Sequence, residues 1–554
     1  MNKYFEEAEL DTADGVLMRV YDGIKHTDVA EEFILPDYLP DVKRIIRVDI
    51  KPKIDGKYIT SGKVDYEGDV VCHMLFCDEG NHLRSVTFTA AFADGIEADE
   101  LIDECVANLV PSPESVTCKM LNPRRVSIRL RIDTSVTVWC KKNFMPQYIG
   151  DVNESTLEKS ECKVDVMKLV CAGESGLNVS ADLEADGAFP QIGEIISCNV
   201  DMSFYECKAS DGKVLCRGDL PITVFYSSGD GDGEAYTVLF RKIPIAQVVL
   251  AEGVDEEYSC MARGAIDAVK YTVSENGFGE KRIIELDISY RVYLNCVGRN
   301  ETMVAKDVYA PGKEVVTETQ TEVFCRFSKL YSTSFGANLV TSREELNMQN
   351  AVNVFALSAS PKVEAVVLSD DKSRVTVTGK CLTGAVVKTV DGLETHEYDV
   401  PFKVELEASG VKRDFIYNYD LVCVSAKGRF DSESFYTELD MQLNLMLLET
   451  EEVEVLEKAV FSVQDNEEEQ PQMRFYYPID GETLWDIGKQ LGISIDALKD
   501  TNDISENTVP RVLFIPYNNK EMWLVCATFL YDKNNRTSLI KQVASSYKPC
   551  PSWW

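Results

Sequence analysis

The sequence predicts a mainly β protein: three tandem β-sandwich-like repeats followed by a small βααβ module. Three observations carry this. Most of residues 33–448 alternates apolar and polar residues and is rich in Val, Thr, Ile, Tyr and Phe, the period of two that a half-buried strand requires. A set of motifs recurs along that stretch at fixed offsets. After residue 473 the apolar residues fall instead at helical spacing, in two short segments bracketed by short strands.

Taken in order, residues 1–31 form an N-terminal segment and residues 32–142 the first repeat. Its closing stretch, Arg124 to Trp139, places Val126, Ile128, Leu130 and Ile132 on one face and charged residues on the other. The second repeat spans 165–300 and the third 315–450, closing on similar long strands at Arg282–Val297 and Ser434–Glu449. Each repeat contains a Val followed four residues later by Gly: Val64 and Gly68, Val214 and Gly218, Val375 and Gly379. Each pair precedes an acidic or glycine-rich connector, then a strand with paired apolar residues (Phe88 and Phe92, Phe240 and Ile245, Tyr398 and Phe402). Pro40–Ile46 matches Pro190–Ile196 at the same shift of 150 residues that separates Gly68 from Gly218. A glycine in such a strand marks a bulge, or a place where a side chain would collide with a neighbouring backbone. The two prolines in the segment Leu35–Ile46 fix an extended entry, expected to pack across its own sandwich, the alternative being an edge presented to a neighbouring copy for strand addition.

Residues 464–473 are acidic and proline-bearing, an extended self-repelling linker. In 474–517, Thr483 with Asp486 makes a capping box, and Leu484, Ile487 and Leu491 share one helical face. Gly492 stops that helix, Ser494 caps a second one carrying Ile495 and Leu498, and Val512–Pro516 returns as a strand. Residues 518–554 form a basic, aromatic tail to which the sequence assigns no function.

Charge narrows the partners. Lys and Arg number 57 against 92 Asp and Glu, a net charge of -35. Such a surface repels phosphate backbones and anionic lipid, so no nucleic-acid partner is expected. No stretch of about 18 apolar residues exists, which argues against membrane insertion. The amino terminus has no basic flank followed by an apolar core, so a cytoplasmic location without a signal peptide is expected. The 17 cysteines lie mostly among strand-like apolar residues and read as small reduced hydrophobes, not as a disulfide framework.

Catalytic constellations are not legible. The four histidines are His26, His73, His82 and His396, and none sits in a pattern that points to metal binding or base catalysis. Gly173–Gly176 lacks the spacing of a nucleophile elbow, and no phosphate-cradling loop ends in Lys-Ser or Lys-Thr. Ser228–Glu234 lacks the distal glutamate of a calcium loop and reads as a hairpin connection. The expectation is a protein that is not an enzyme and uses no cofactor or metal.

Two resemblances add to this reading. The run Tyr477, Asp480–Trp485, Ile487, Leu491–Ser494, Leu498, Asn502 and Leu513–Pro516 resembles a LysM module. The family's Gly-Asp-Thr-Leu stands here as Gly481–Leu484, and its Pro-Gly turn as Pro510–Arg511. The resemblance implies a shallow groove between two loops, with partner- or glycan-binding residues Asp480, Gly481, Glu482 and Thr483 facing Ile504, Ser505, Glu506, Asn507 and Arg511. Ile34–Asp49, followed by the strand from Gly62 to Gly68, resembles the SPOCS repeats of spore-coat-associated proteins. Several SPOCS repeats followed by one LysM is the layout of SipL-type morphogenetic proteins of endospore-forming clostridia. That layout implies a non-catalytic scaffold on the mother-cell side of the forespore surface, its LysM holding a coat-basement morphogenetic ATPase or another coat protein. The alternative is a cell-wall protein whose LysM grips N-acetylglucosamine units of peptidoglycan.

Overall fold

The structure is a computed structural model that describes residues 8–9, 16–102, 105–228, 236–389, 392–411, 414–463, 474–505 and 508–515. The acidic linker 464–473, the tail 518–554 and most of the Ser228–Glu234 loop lie outside the described residues. The fold is mainly β, and its only two α-helices among the described residues belong to the C-terminal module. The chain divides into two compact units: Met1–Asn143 with Asp165–Thr302 and Val323–Glu452, and Phe144–Val164 with Met303–Glu322 and Val453–Trp554.

The first unit contains three blocks, each made of two antiparallel sheets over one core. After a short β1 (Ala8–Glu9), block 1 comprises β2 (Val16–Ile34), β3 (Val42–Thr60), β4 (Lys63–Asp78), β5 (Leu83–Glu97), β6 (Cys105–Asn122) and β7 (Arg125–Lys142). Its sheets run β2-β7-β6 and β3-β4-β5. A short β8 (Gln147–Ile149) precedes block 2, which comprises β9 (Glu158–Glu184), β10 (Ile192–Val200), β11 (Ser203–Ser210), β12 (Lys213–Ser228), β13 (Tyr236–Leu250), β14 (Ser259–Glu275) and β15 (Lys281–Tyr309). Both β10 and β11 pair with β12, and β9-β15-β14 forms the opposite sheet. Block 3 comprises β16 (Lys313–Ser342), β17 (Ala351–Leu368), β18 (Arg374–Thr389), β19 (Gly392–Glu407), β20 (Phe415–Phe430) and β21 (Ser434–Val463), in sheets β16-β21-β20 and β17-β18-β19.

Alternation explains the cores. Val126, Ile128, Leu130 and Ile132 of β7 are all buried, as are Ile284, Leu286 and Ile288 of β15 and Leu443, Leu445 and Leu447 of β21. Each block has its own apolar cluster. Strand pairing runs past the expected bounds of the repeats: β2 pairs with β7 from Val16 to Ile34, β9 begins at Glu158, and β15 and β21 continue to Tyr309 and Val463. A strand of alternating period needs a partner along its whole length, and β7 supplies it.

The Val-Gly motif has one physical meaning in all three blocks. A Cβ on Gly68 would lie 2.1 Å from the Lys53 carbonyl oxygen, one on Gly218 would lie 2.3 Å from that of Ser203, and one on Gly379 would lie 2.3 Å from that of Lys362. The facing strand carries a register shift next to each of them, between Ile54 and Gly56, Phe204 and Glu206, and Val363 and Ala365. Cross-strand, the three glycines face Phe92, Ile245 and Phe402, the residues singled out from the sequence. The entry segment is also fixed to its own block. Arg124 donates to the carbonyls of Leu35, Pro36 and Leu39, and Arg282 in block 2 donates to those of Ala185, Asp186 and Phe189.

The blocks pack on each other through equivalent positions. Register makes Leu75, Phe225 and Val386 counterparts, and likewise Leu83, Tyr236 and Leu393. All six lie in one apolar cluster, with Ile46, Ile196 and Phe355. A second cluster gathers Val106, Met261 and Ile416 with Trp139, Leu169 and Leu448. Polar contacts run in one direction around the set. Arg291 of β15 reaches Ile54 O at 3.2 Å and Asp55 at 2.7 Å in the bulge of block 1. Asn444 of β21 donates to Phe204 O at 2.8 Å in the bulge of block 2. Lys362, at the bulge of block 3, lies 3.3 Å from Glu114 and 3.7 Å from Asp133 in block 1. The last strand of each block thus meets the bulge of another, and the third contact returns to the start.

Two cysteine pairs overturn the expectation of wholly reduced thiols. Cys105–Cys140 and Cys260–Cys296 are disulfides between directly opposed residues of neighbouring strands. Antiparallel partners bring the Cα atoms to 4.1 and 4.0 Å, close enough to bridge. Block 3 has Phe415 opposite Glu449 in the corresponding ladder. The Glu449 carboxylate is buried and accepts from Arg326 at 2.6 Å.

In the second unit, β8 pairs in parallel with Lys458–Val460 of β21. Val308, Leu456, Ala459 and Phe461 form its apolar cluster with Tyr148 and Leu157. The C-terminal module of this unit comprises β22 (Arg474–Tyr476), α1 (Leu484–Leu491), α2 (Ile495–Asn502) and β23 (Leu513–Ile515), in the predicted βααβ order.

Candidate functional site

The module builds its loops from its caps. Thr483 accepts from Asp486 N at 3.2 Å, while Asp486 accepts from Thr483 N at 2.9 Å and Thr483 Oγ1 at 2.7 Å. Those donors hold the Asp486 carboxyl below its ordinary value. Gly492 ends α1 in the left-handed region at φ 66°, which glycine adopts without strain. Ser494 caps α2 by accepting from Ala497 N. Leu484, Ile487, Leu498, Leu513 and Ile515 form the buried core. Asn502 clamps the returning strand, donating to Phe514 O at 2.8 Å and accepting from Phe514 N at 2.7 Å.

Two loops flank the expected groove, and their residues take different roles. Asp480 and Gly481 are exposed, with Gly481 at φ 95° and open space around it. Glu482 is committed to its own loop: it accepts from the Tyr476 hydroxyl at 2.6 Å and from Ile479 N at 2.9 Å. Glu482 as hydrogen-bond partner raises the Tyr476 phenol. Thr483 is occupied as the helix cap. Across the groove, Ser505 and Arg511 are exposed, but Ile504 packs on the module's core. Glu506 and Asn507 lie outside the described residues. The freely presented groove residues among those described are therefore Asp480, Gly481, Ser505 and Arg511.

A second surface of the module went unseen in the sequence. Trp485 Nε1 donates to Asp307 at 3.1 Å, and Lys489 reaches the same carboxylate at 2.6 and 2.7 Å. The Tyr309 ring meets Trp485 edge-on at 5.0 Å, and its hydroxyl donates to Ile493 O at 2.8 Å. Gly312 N donates to Gly492 O. Burial pushes the Tyr309 phenol up. The helical spacing of Trp485 reads as core, yet its indole is spent on a chain segment nearly 180 residues earlier. Only the i,i+4 placement of Trp485 and Lys489 on one helix face hinted at a shared contact.

Among the described residues, no group of three or more His, Cys, Asp or Glu side chains is placed to hold a metal, and no helix is long and apolar enough to cross a membrane. Burial lowers the pKa of His73, while His26 lies 2.6 Å from Asp133.

Comparison with known proteins bears on the blocks. Residues 41–121 and 191–274 match a family model described as SipL, SPOCS domain. Both stretches are similar to SPOCS domains. In block 1 the SPOCS match runs from β3 into β6, and in block 2 from β10 into β14, so the same architectural segment is matched twice. Each match contains its Val-Gly pair and bulge. A search of curated proteins found no match, and a search of solved structures found none.

Proposed function

We propose that the chain is a non-catalytic scaffold in endospore-envelope assembly, acting in coat and cortex construction. The three blocks are tandem copies of one β-sandwich, the SPOCS-like repeat, and form its platform. The C-terminal module is LysM-like and tethers that platform to a coat-basement protein on the forespore surface. The observation that carries this reading is the twofold SPOCS match, extended to a third block by the equivalent Gly379, its bulge and its ladder. The two disulfides remove the cysteine argument for a reducing compartment, so the mother-cell location rests on the family resemblance alone.

Deleting residues 474–515 from a fluorescent fusion tests the tether during sporulation. Loss of the forespore-surface signal is expected, and unchanged localisation overturns the tether. A second reading, peptidoglycan binding, draws on the open backbone around Gly481 at the groove. Retention on purified peptidoglycan that is competed by N-acetylglucosamine oligomers would establish it in place of the protein tether.

A further inference from the structure

Block 2 holds a further pair of cysteines at opposed strand positions. Cys207 on β11 faces Cys216 on β12 in the ladder, and both are thiols. The turn over Asp211 and Gly212 closes on Ser210 and Lys213. A two-residue turn closes on a pair that exchanges hydrogen bonds, and pairs with and without them alternate from there. Lys208 and Leu215 are therefore hydrogen-bonded, and Cys207 and Cys216 are not. Opposed residues of the second kind have Cα atoms about 4.5 Å apart and side chains on one face, within the span a disulfide bridges. The disulfides Cys105–Cys140 and Cys260–Cys296 join opposed strand residues in the same way, at 4.1 and 4.0 Å.

The repetition supplies an internal control. Aligning Gly218 with Gly68 and Gly379 puts Lys57 opposite Tyr66 at this ladder position in block 1, and Val366 opposite Val377 in block 3. The fold stands there without sulfur, so the thiol pair is an addition to the common architecture.

The two thiols differ in surroundings. Cys216 is 0 % exposed in the core of the block, and its hydrogen bond to Cys207 together with burial pushes its thiol up. Cys207 is partly exposed on β11, which lies at the end of its sheet. The Cys216 thiol donates to Cys207, and with the Ala262 backbone it pulls Cys207 down against its own burial. The thiolate is the nucleophile, so the outer cysteine is the one set to react first.

We propose that Cys207 and Cys216 form a reversible dithiol–disulfide site that is oxidised by a low-molecular-weight disulfide. Cys207 attacks one sulfur of the small disulfide and expels its other half, leaving a mixed disulfide. Cys216 then attacks the Cys207 sulfur and expels the second half, each cysteine's proton passing to the thiolate it releases. The cysteines give up two electrons in all, and the small disulfide leaves as two thiols. The closed link ties β11 to the middle of its sheet. That strand is the one block 3 grips, since Phe204 O accepts from Asn444 and Tyr205 O from Ser332.

Equilibrating the full chain with oxidised and reduced glutathione at varied ratios, quenching with iodoacetamide and mapping tryptic peptides without reduction tests this. Lys208 and Lys213 lie between the two cysteines, so the link joins separate peptides. The expected result is a Cys207–Cys216 peptide pair under oxidised glutathione that is lost again under reduced glutathione. Cys207→Val and Cys216→Val, which carry the side chain block 3 uses at this position, should each abolish it. In Cys216→Val, Cys207 should stop at the glutathione adduct. Alkylation of both thiols at every ratio would overturn the proposal, as would a link that stays closed at every ratio. A glutathione adduct that persists on Cys207 of the unaltered chain, or a link from either cysteine to a different one, would also overturn it.

Discussion

Gly68→Ala probes the repeat's defining motif. The added methyl would sit 2.1 Å from Lys53 O, 3.0 Å from the Phe92 ring and 3.1 Å from Ile54 Cα. Two of these neighbours are backbone atoms, so relief requires moving the bulged strand by roughly an ångström instead of turning a side chain. Overpacking of this kind costs about 1–3 kcal/mol. Weakening one ladder hydrogen bond costs about 1 kcal/mol more. The entropy lost by an unfolded glycine offsets about 0.4–1 kcal/mol. The expected net destabilisation is about 2–3 kcal/mol, and Gly218→Ala and Gly379→Ala should match it within about 1 kcal/mol. Hydrogen exchange of the protected β4, β12 and β18 amides reads this block by block, without assuming one global transition. Gly187→Ala is the control, since its Cβ meets nothing within 4 Å at an ordinary φ. A Gly68→Ala effect no larger than the control would refute the steric account.

Four further outcomes are expected. Arg291→Ala should destabilise the first unit by about 1–3 kcal/mol in chemical denaturation, because it removes the guanidinium that half-buried Asp267 shares with Asp55 and leaves Asp55 only Lys53, at 3.3 Å. Asp307→Ala should speed amide exchange across α1, since Trp485 and Lys489 lose their shared acceptor. Peptide mapping without reduction should recover Cys105 linked to Cys140 and Cys260 linked to Cys296. The Asp486 carboxyl is depressed in the folded state, so its contribution is full above the ordinary value of 3.8 and fades as pH falls through the lower folded value. The stability gap between wild type and Asp486→Asn should therefore be present at neutral pH and close on acidification.

Local chemistry was legible in the sequence, and long-range placement was not. Alternation located the buried faces of β7, β15 and β21, because a period of two assigns every second residue to the core. Thr483, Gly492 and Ser494 announced their caps, since capping is decided within a few residues. The glycine motif was readable because the same clash arises three times. Cysteine pairing was not, as Cys105 and Cys140 become neighbours only when the ladder fixes their register. Of the residues expected at the groove, Ile504 packs on the core and Glu482 is bound within its loop, choices set by contacts the motif does not encode. Nothing near Trp485 pointed to Asp307, and nothing in Leu75, Phe225 and Val386 pointed to a common cluster.

The central claim is that three equivalent blocks close on one another, the third contacting the first. Carbodiimide cross-linking of the monomeric chain, followed by peptide mass spectrometry, tests it most directly. Lys51 and Asp201 lie 2.7 Å apart between blocks 1 and 2, and Lys362 and Glu114 lie 3.3 Å apart between blocks 3 and 1. Recovery of both zero-length links within one chain is the predicted result. Recovery of Lys51–Asp201 without Lys362–Glu114 would describe an open row of blocks and contradict the account.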